Sequence, residues 1–325
     1  MYTLCNVARH HFAGPDAVYV LDLQRTAAGL AAITSDQRLS LLDAARLGAA
    51  APTSWPAGHL TALRVFDAAA ALVCSAGADG HVAVWDLRLG AAAARVARFQ
   101  AGEAPVLSLA CSAGTHTIAA GTELHNSTAS IRLWDVRAAP APKAHYREVH
   151  SDDTTALDFH AAAPALLLSG ATDGLVNVYD TRVPDEDDLT LQTLNHGASI
   201  HAAGFVGAAG DVYALSHDER FALYDVAEER RTGDATRAFG DLRGVLGCRY
   251  VAGVTPKTDG SGAIVGVGAQ EDRQGQSWEL DRDGSVGLPG AHGEEIVRAF
   301  CFVDEEQLVF TAGEDGNVKA WRPGG

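Results

Sequence analysis

The stretch LLLSGATDGLVNVYD, Leu166 to Asp180, decides how the rest of the chain is read. Leu166, Leu167 and Leu168 open a short apolar strand, and Thr172-Asp173-Gly174 supplies residues that accept tight-turn dihedrals. Val176, Val178 and Tyr179 then form a β-branched and aromatic return strand, so the segment predicts a hairpin. A lone hairpin is marginal in water, so the test of this reading is whether the pattern recurs.

It recurs. VCSAGADGHVAVWD at Val73–Asp86 and VFTAGEDGNVKAWR at Val309–Arg322 are close copies, each with a hydroxyl residue, an Asp four positions on and an aromatic six further. Weaker copies end at Leu42, Trp134, Tyr224 and Trp278. The strand-end markers at 42, 85, 134, 179, 224, 278 and 321 are 43 to 54 residues apart, the spacing of stacked four-stranded blades. The expectation is an all-β chain in which residues 1–325 form one domain, a seven-bladed β-propeller of four-stranded antiparallel blades. Because the last unit stops at Trp321 with three strands, Tyr2–Val7 is expected to supply its fourth, closing the ring and removing an exposed sheet edge.

Six of the seven units carry an Asp six residues before the marker: Asp36, Asp79, Asp173, Asp218, Asp272 and Asp315. The third has Thr128 there, inside a longer polar loop, Glu123 to Ser130. Three units hold a full set: His59, Ser75, Asp79 and Trp85; His150, Ser169, Asp173 and Tyr179; His292, Thr311, Asp315 and Trp321. Each set contains the residue types of a catalytic triad. Threefold repetition is better explained by a buried hydrogen-bond network in every blade, with the carboxylate holding the imidazole and the imidazole reaching the hydroxyl and the ring beside it.

These His, Asp and Trp-Asp signatures resemble those of the WD-repeat family over nearly all of the sequence. A closer likeness, to one branch of that family, rests on HSDD at His150–Asp153, SGATDGLVNVYD at Ser169–Asp180, AGTE at Ala120–Glu123 and AGEDGNVKAW at Ala312–Trp321. The resemblance implies a propeller and brings no catalytic residues with it.

Composition narrows the partners. Forty-one acidic against 25 basic residues give a net charge of −16, which argues against nucleic-acid and anionic-membrane binding and for basic partners. No apolar run reaches membrane-spanning length, and the N-terminus lacks a basic stretch with an apolar core behind it, so an intracellular protein, cytoplasmic or nuclear, is expected. Cys5, Cys74, Cys111, Cys248 and Cys301 are odd in number and never in a CxxC pair, which speaks against a disulfide framework or a thiolate zinc site.

No constellation outside the repeat demands catalysis. His10-His11 near Cys5, and His201 with His217, are read as loop residues, with no metal or cofactor expected. GSGAIVGVGA at 260–269 is not followed by the helix that an anion-binding glycine loop needs. Propellers do host enzymes, and that stays an alternative.

The favoured reading is a non-enzymatic scaffold, monomeric by itself, that binds a partner protein or basic peptide on the loop face. Ser35, Ala78, Thr172, His217, Glu271 and Glu314 precede the repeated Asp, and Asp152, Asp153, Glu294 and Glu295 follow the repeated His. Glu271, Glu294, Glu295 and Glu314 belong to neighbouring units and are expected to form one acidic patch that receives a basic tail. Plain solvation of these carboxylates is the competing account. Other readings are a substrate receptor using the blade edges and an assembly factor in ribosome production.

Overall fold

The computed structural model describes residues 2–49, 52–90, 92–138, 141–207, 210–226, 234–257, 261–268, 286–303 and 306–324. Five four-stranded antiparallel blades follow one another along the chain. The first is Val20–Thr26, Gly29–Thr34, Arg38–Leu42 and Thr53–Pro56; the second is Leu60–Asp67, Leu72–Gly77, His81–Asp86 and Arg95–Gln100. The third comprises Val106–Ser112, Thr117–Thr122, Ile131–Asp135 and Ala144–Tyr146, and the fourth Thr154–Phe159, Leu166–Ala171, Leu175–Asp180 and Thr190–Asn195. Ile200–Val206, Asp211–Ser216, Arg220–Tyr224 and Arg237–Asp241 make the fifth.

The opening hairpin forms as its residues dictate. Leu167 pairs with Tyr179 and Ser169 with Asn177, while Asp173 turns the chain by accepting the Leu175 N–H at 3.0 Å through Oδ1. Gly174 sits at φ +85°, a conformation that only glycine adopts freely. Second strands are buried along their whole length in blades one and three, because a neighbouring blade covers each face. Outer strands such as Thr190–Asn195 alternate between buried and exposed. The core therefore lies in layers between blades: Ile33, Leu39 and Trp55 of the first meet Leu63, Val73 and Trp85 of the second.

The seam is built from both ends of the chain. Tyr2–His11 pairs antiparallel with Asn317–Pro323, from Leu4 opposite Pro323 to His11 opposite Asn317. It is longer than the Tyr2–Val7 expected. Leu308–Gly313 and Val297–Val303 complete a sixth four-stranded antiparallel unit.

The expectation of a closed ring of seven four-stranded blades is overturned by this topology. Among the described residues, six units have four antiparallel strands. Between the fifth and the seam, the described residues form only a two-stranded sheet, Tyr250–Pro256 with Ala263–Gly268, preceded by a short helix, Leu242–Leu246, that packs Leu242 and Leu246 against it. The seam sheet instead takes a fifth, parallel strand, Val286–Gly287 beside Tyr2 and Thr3. The glycines of this strand admit close neighbours: the space over Gly266 is filled by the Phe300 ring and that over Gly268 by Tyr250, while Ala263, Val265 and Val267 pack in the local core. The marker at 278 and the expected site residues Glu271 and Asp272 lie outside the described residues.

Candidate functional site

The His-hydroxyl-carboxylate sets come first. In blade four the His150 Nδ1 lies 3.0 Å from Asp173 Oδ2 and its Nε2 2.7 Å from Ser169 Oγ, which is in turn 2.7 Å from the Tyr179 hydroxyl. The seam blade repeats this: His292 Nδ1 is 2.6 Å from Asp315 Oδ1, its Nε2 2.8 Å from Thr311 Oγ1, and Trp321 Nε1 donates to Thr311 Oγ1 at 3.0 Å. Both imidazoles are fully buried. Burial is the largest single influence and disfavours the charged carboxylates, but the histidine hydrogen bonds, the histidine charge and the neighbouring N–H donors together outweigh it, and Asp173 and Asp315 are held below the usual carboxylate range. No substrate could reach the hydroxyl between a buried ring and a buried indole or phenol, so the sets act as ties within a blade.

Blade two breaks the set that the sequence predicts. Trp85 Nε1 donates to Ser75 Oγ at 2.9 Å, but His59 is exposed at φ +47° and its imidazole is not brought to Asp79. Asp79 instead pairs with His81 and with Arg98, each at 3.2 Å. The left-handed backbone at Gly58-His59 turns the side chain outward, while the His59 carbonyl still accepts the Ala78 N–H at 2.7 Å.

That last bond recurs and locates the loop face. The first backbone N–H after each second strand donates to the carbonyl just before the first strand: Ser35 to Tyr19, Ala78 to His59, Glu123 to Pro105, Thr172 to Asp153, His217 to Ser199 and Glu314 to Ile296, at 2.7 to 3.0 Å. Thr172, His217 and Glu314 therefore occupy equivalent places on one rim. Their side chains differ in use. His217 is exposed, with Nδ1 3.0 Å from Ser199 Oγ, and its ring lies tilted at 58° with its centroid 5.0 Å from that of His201, whose basicity is lowered by desolvation and by the neighbouring His217 and Arg298. Thr172 Oγ1 is buried with no hydrogen-bond partner among the described residues.

The expected acidic patch is only partly assembled. Glu314 forms a two-pronged pair with Arg298 Nε and Nη2, so its charge is neutralised in place. Asp153 is half-buried and its Oδ1 accepts the Leu124 N–H at 2.7 Å, anchoring the Glu123–Ser130 loop of the preceding blade. Asp152 caps the Asp153 N–H. Glu294 and Glu295 are exposed and have no cation beside them among the described residues. Arg298 was not foreseen; its signal is a charged residue at the bulge between Val297 and Ala299, where the first strand shifts register. No group of three or more His, Cys, Asp or Glu able to hold a metal occurs among the described residues, and no described helix is long and apolar enough to cross a membrane.

Comparison with known proteins agrees with this architecture. The WD40 profile, described as WD domain, G-beta repeat, matches residues 53–86 and 285–322, which end on the third strands of blade two and of the seam blade. An uncharacterized WD repeat-containing protein of Saccharomyces cerevisiae is 31% identical over 261 residues, 77% of this chain and 64% of that protein. One from Schizosaccharomyces pombe is 33% identical over 267 residues, 77% and 79% of the two chains. A WD repeat-containing protein 89 homolog of Dictyostelium discoideum is 30% identical over 324 residues, covering 95% of this chain and 84% of its own. With its repeated blades, its buried ties and relatives of this kind along nearly its whole length, the chain belongs to the WD repeat-containing protein family.

Proposed function

We propose that the chain is a non-enzymatic interaction scaffold whose loop face receives a basic segment of a partner protein. The carrying observation is the exposed pair Glu294-Glu295, at the mouth of the seam blade and unneutralised among the described residues, on a chain of net charge −16. At the opposite ends of the blades Asp185, Asp187 and Asp188 are exposed in one loop of blade four, while other carboxylates are taken up in ion pairs. There Asp86, Asp135 and Asp180 each hold the arginine two residues on, Arg88, Arg137 and Arg182, in a close ion pair. The repeated His sets are consumed as structural ties, which supports a binding role over a catalytic one. Five unpaired cysteines support a reducing, intracellular setting as part of the same proposal.

The test is charge reversal. Glu294→Lys/Glu295→Lys, compared with the parent by affinity capture and mass spectrometry at low and physiological salt, is expected to lose lysine- and arginine-rich partners, with the parent's own capture weakening as salt rises. An identical partner set from both chains overturns the assignment to this face.

A further inference from the structure

A cavity of ≈ 100 Å³ lies between blades four and five, at the end of the blades opposite the loop rim; His160, Leu166, Val178, Gln192, Phe205 and Val226 line it. Its polar residue is out of place. In the outer strand of blade four, Gln192 pairs with Val178 directly after a register shift, and the shift leaves Leu191 unpaired. The outer strands of blade two and of the seam have the same shift, and there the inward residue is alanine: Ala97 opposite Val84 and Ala8 opposite Ala320. Ala97 sits in an apolar layer with Leu72, Cys111 and Val136. Gln192 is 7% exposed, and its Nε2 has no hydrogen-bond partner among the described residues.

A buried amide donor without a partner is costly and calls for an explanation. His160 supplies a second donor. Its Nδ1 accepts the backbone N–H groups of Ala162 at 3.2 Å and Ala163 at 2.9 Å, which places the proton of the neutral ring on Nε2. Burial lowers the basicity of the ring. The cavity thus combines apolar walls with two donors. Asp211 directly follows Gly210, which also lines the cavity, and its carboxyl is raised by burial and by the charge of Asp225.

We propose that this cavity is a docking pocket for a short extended segment of a partner protein, taking one branched aliphatic side chain, Leu or Ile, whose backbone carbonyl accepts from Gln192, with a flanking Lys or Arg set against Asp211. At ≈ 100 Å³ the cavity is smaller than the about 150 Å³ that holds a benzene, which limits the occupant to a single aliphatic side chain. The site is distinct from the loop face, so its fate does not depend on Glu294 and Glu295.

Fluorescence polarisation of the full chain against labelled hexapeptides in four series (Leu beside Lys, Leu beside Glu, Ala beside Lys, and Ser throughout) tests this. The Leu-Lys series is expected to bind best. Gln192→Leu fills the cavity and removes the donor; it is expected to weaken that binding roughly tenfold, to melt no lower than the parent, and to leave the partners captured through Glu294 and Glu295 unchanged. Equal binding of all four series, or undiminished binding by Gln192→Leu, overturns the proposal. A Gln192→Leu chain that melts several degrees below the parent also overturns it, because Gln192 would then be serving the fold itself.

Discussion

Replacing Ala120 by serine should stabilise this protein, and the size of the effect follows from blade geometry. Ser75, Ser169 and Thr311 occupy one register position in three blades, opposite Leu63, Leu157 and Phe300 on the first strand. Ala120, opposite Leu109, is the same position in blade three. Trp85 and Trp321 donate to their hydroxyls at 2.9 and 3.0 Å, whereas the buried Trp134 Nε1 has no acceptor among the described residues. A buried unsatisfied donor costs about 1–3 kcal/mol, and a typical intramolecular hydrogen bond contributes about 0.5–1.5 kcal/mol net. Ala120→Ser should therefore gain about 1 kcal/mol. Unfolding entropy near 2.1 cal/mol/K per residue makes each kcal/mol worth about 1.5 °C in Tm for 325 residues. The reverse change, Ser75→Ala, strands the Trp85 indole and should lower Tm by about 1.5–5 °C. Calorimetry on both variants decides it. An Ala120→Ser chain that melts no higher than the parent, together with a neutral Ser75→Ala, refutes the register argument.

Further outcomes are expected. Asp173 and Asp315 have depressed carboxyl pKa values, so their contribution to stability is present above the unfolded value near 3.9 and is lost as pH falls; Asp173→Asn should lower Tm at pH 7 and flatten the acid limb of a Tm-against-pH curve. Asp158 has the opposite sign. Burial, only partly offset by the Phe205 N–H at 2.9 Å and by Arg64, pushes it up to about 6, so its contribution is full below about pH 4 and is lost as pH rises through 6; Asp158→Asn should remove that decline between pH 4 and 7. Removing residues 2–11 exposes Asn317–Pro323 as an unpaired edge, and size-exclusion chromatography should show association or a lower Tm than the full chain.

Strand and turn placement was legible because turn chemistry and alternation are local. Thr172-Asp173-Gly174 and its copies mark hairpins wherever glycine or a small polar residue must accept the turn. Long-range substitutions were not legible. Counting back from Trp134 assigns Thr128 to the Asp position, but the register aligns Leu124 there, and a carboxylate from the next blade, Asp153, holds its N–H. In blade five, with Ala214 at the hydroxyl position, His196 Nδ1 reaches the Tyr224 hydroxyl directly at 3.0 Å, and Ser216 serves Asp218 instead. His59 departs because of a backbone conformation that its spacing does not encode. The acidic patch was read from loop positions alone, and the pairing of Glu314 with Arg298 depends on a bulge that brings a first-strand side chain to the rim.

The most direct test of loop-face recognition is site-specific photo-crosslinking, with p-benzoylphenylalanine placed at Ala291, in the same loop as the intact Glu294-Glu295 pair, or at Val96, 52% exposed on the outer strand of blade two. The account predicts adducts at position 291 to lysine- and arginine-rich peptides and few at Val96. Adducts confined to Val96, or loop-face adducts with no basic character, would contradict it.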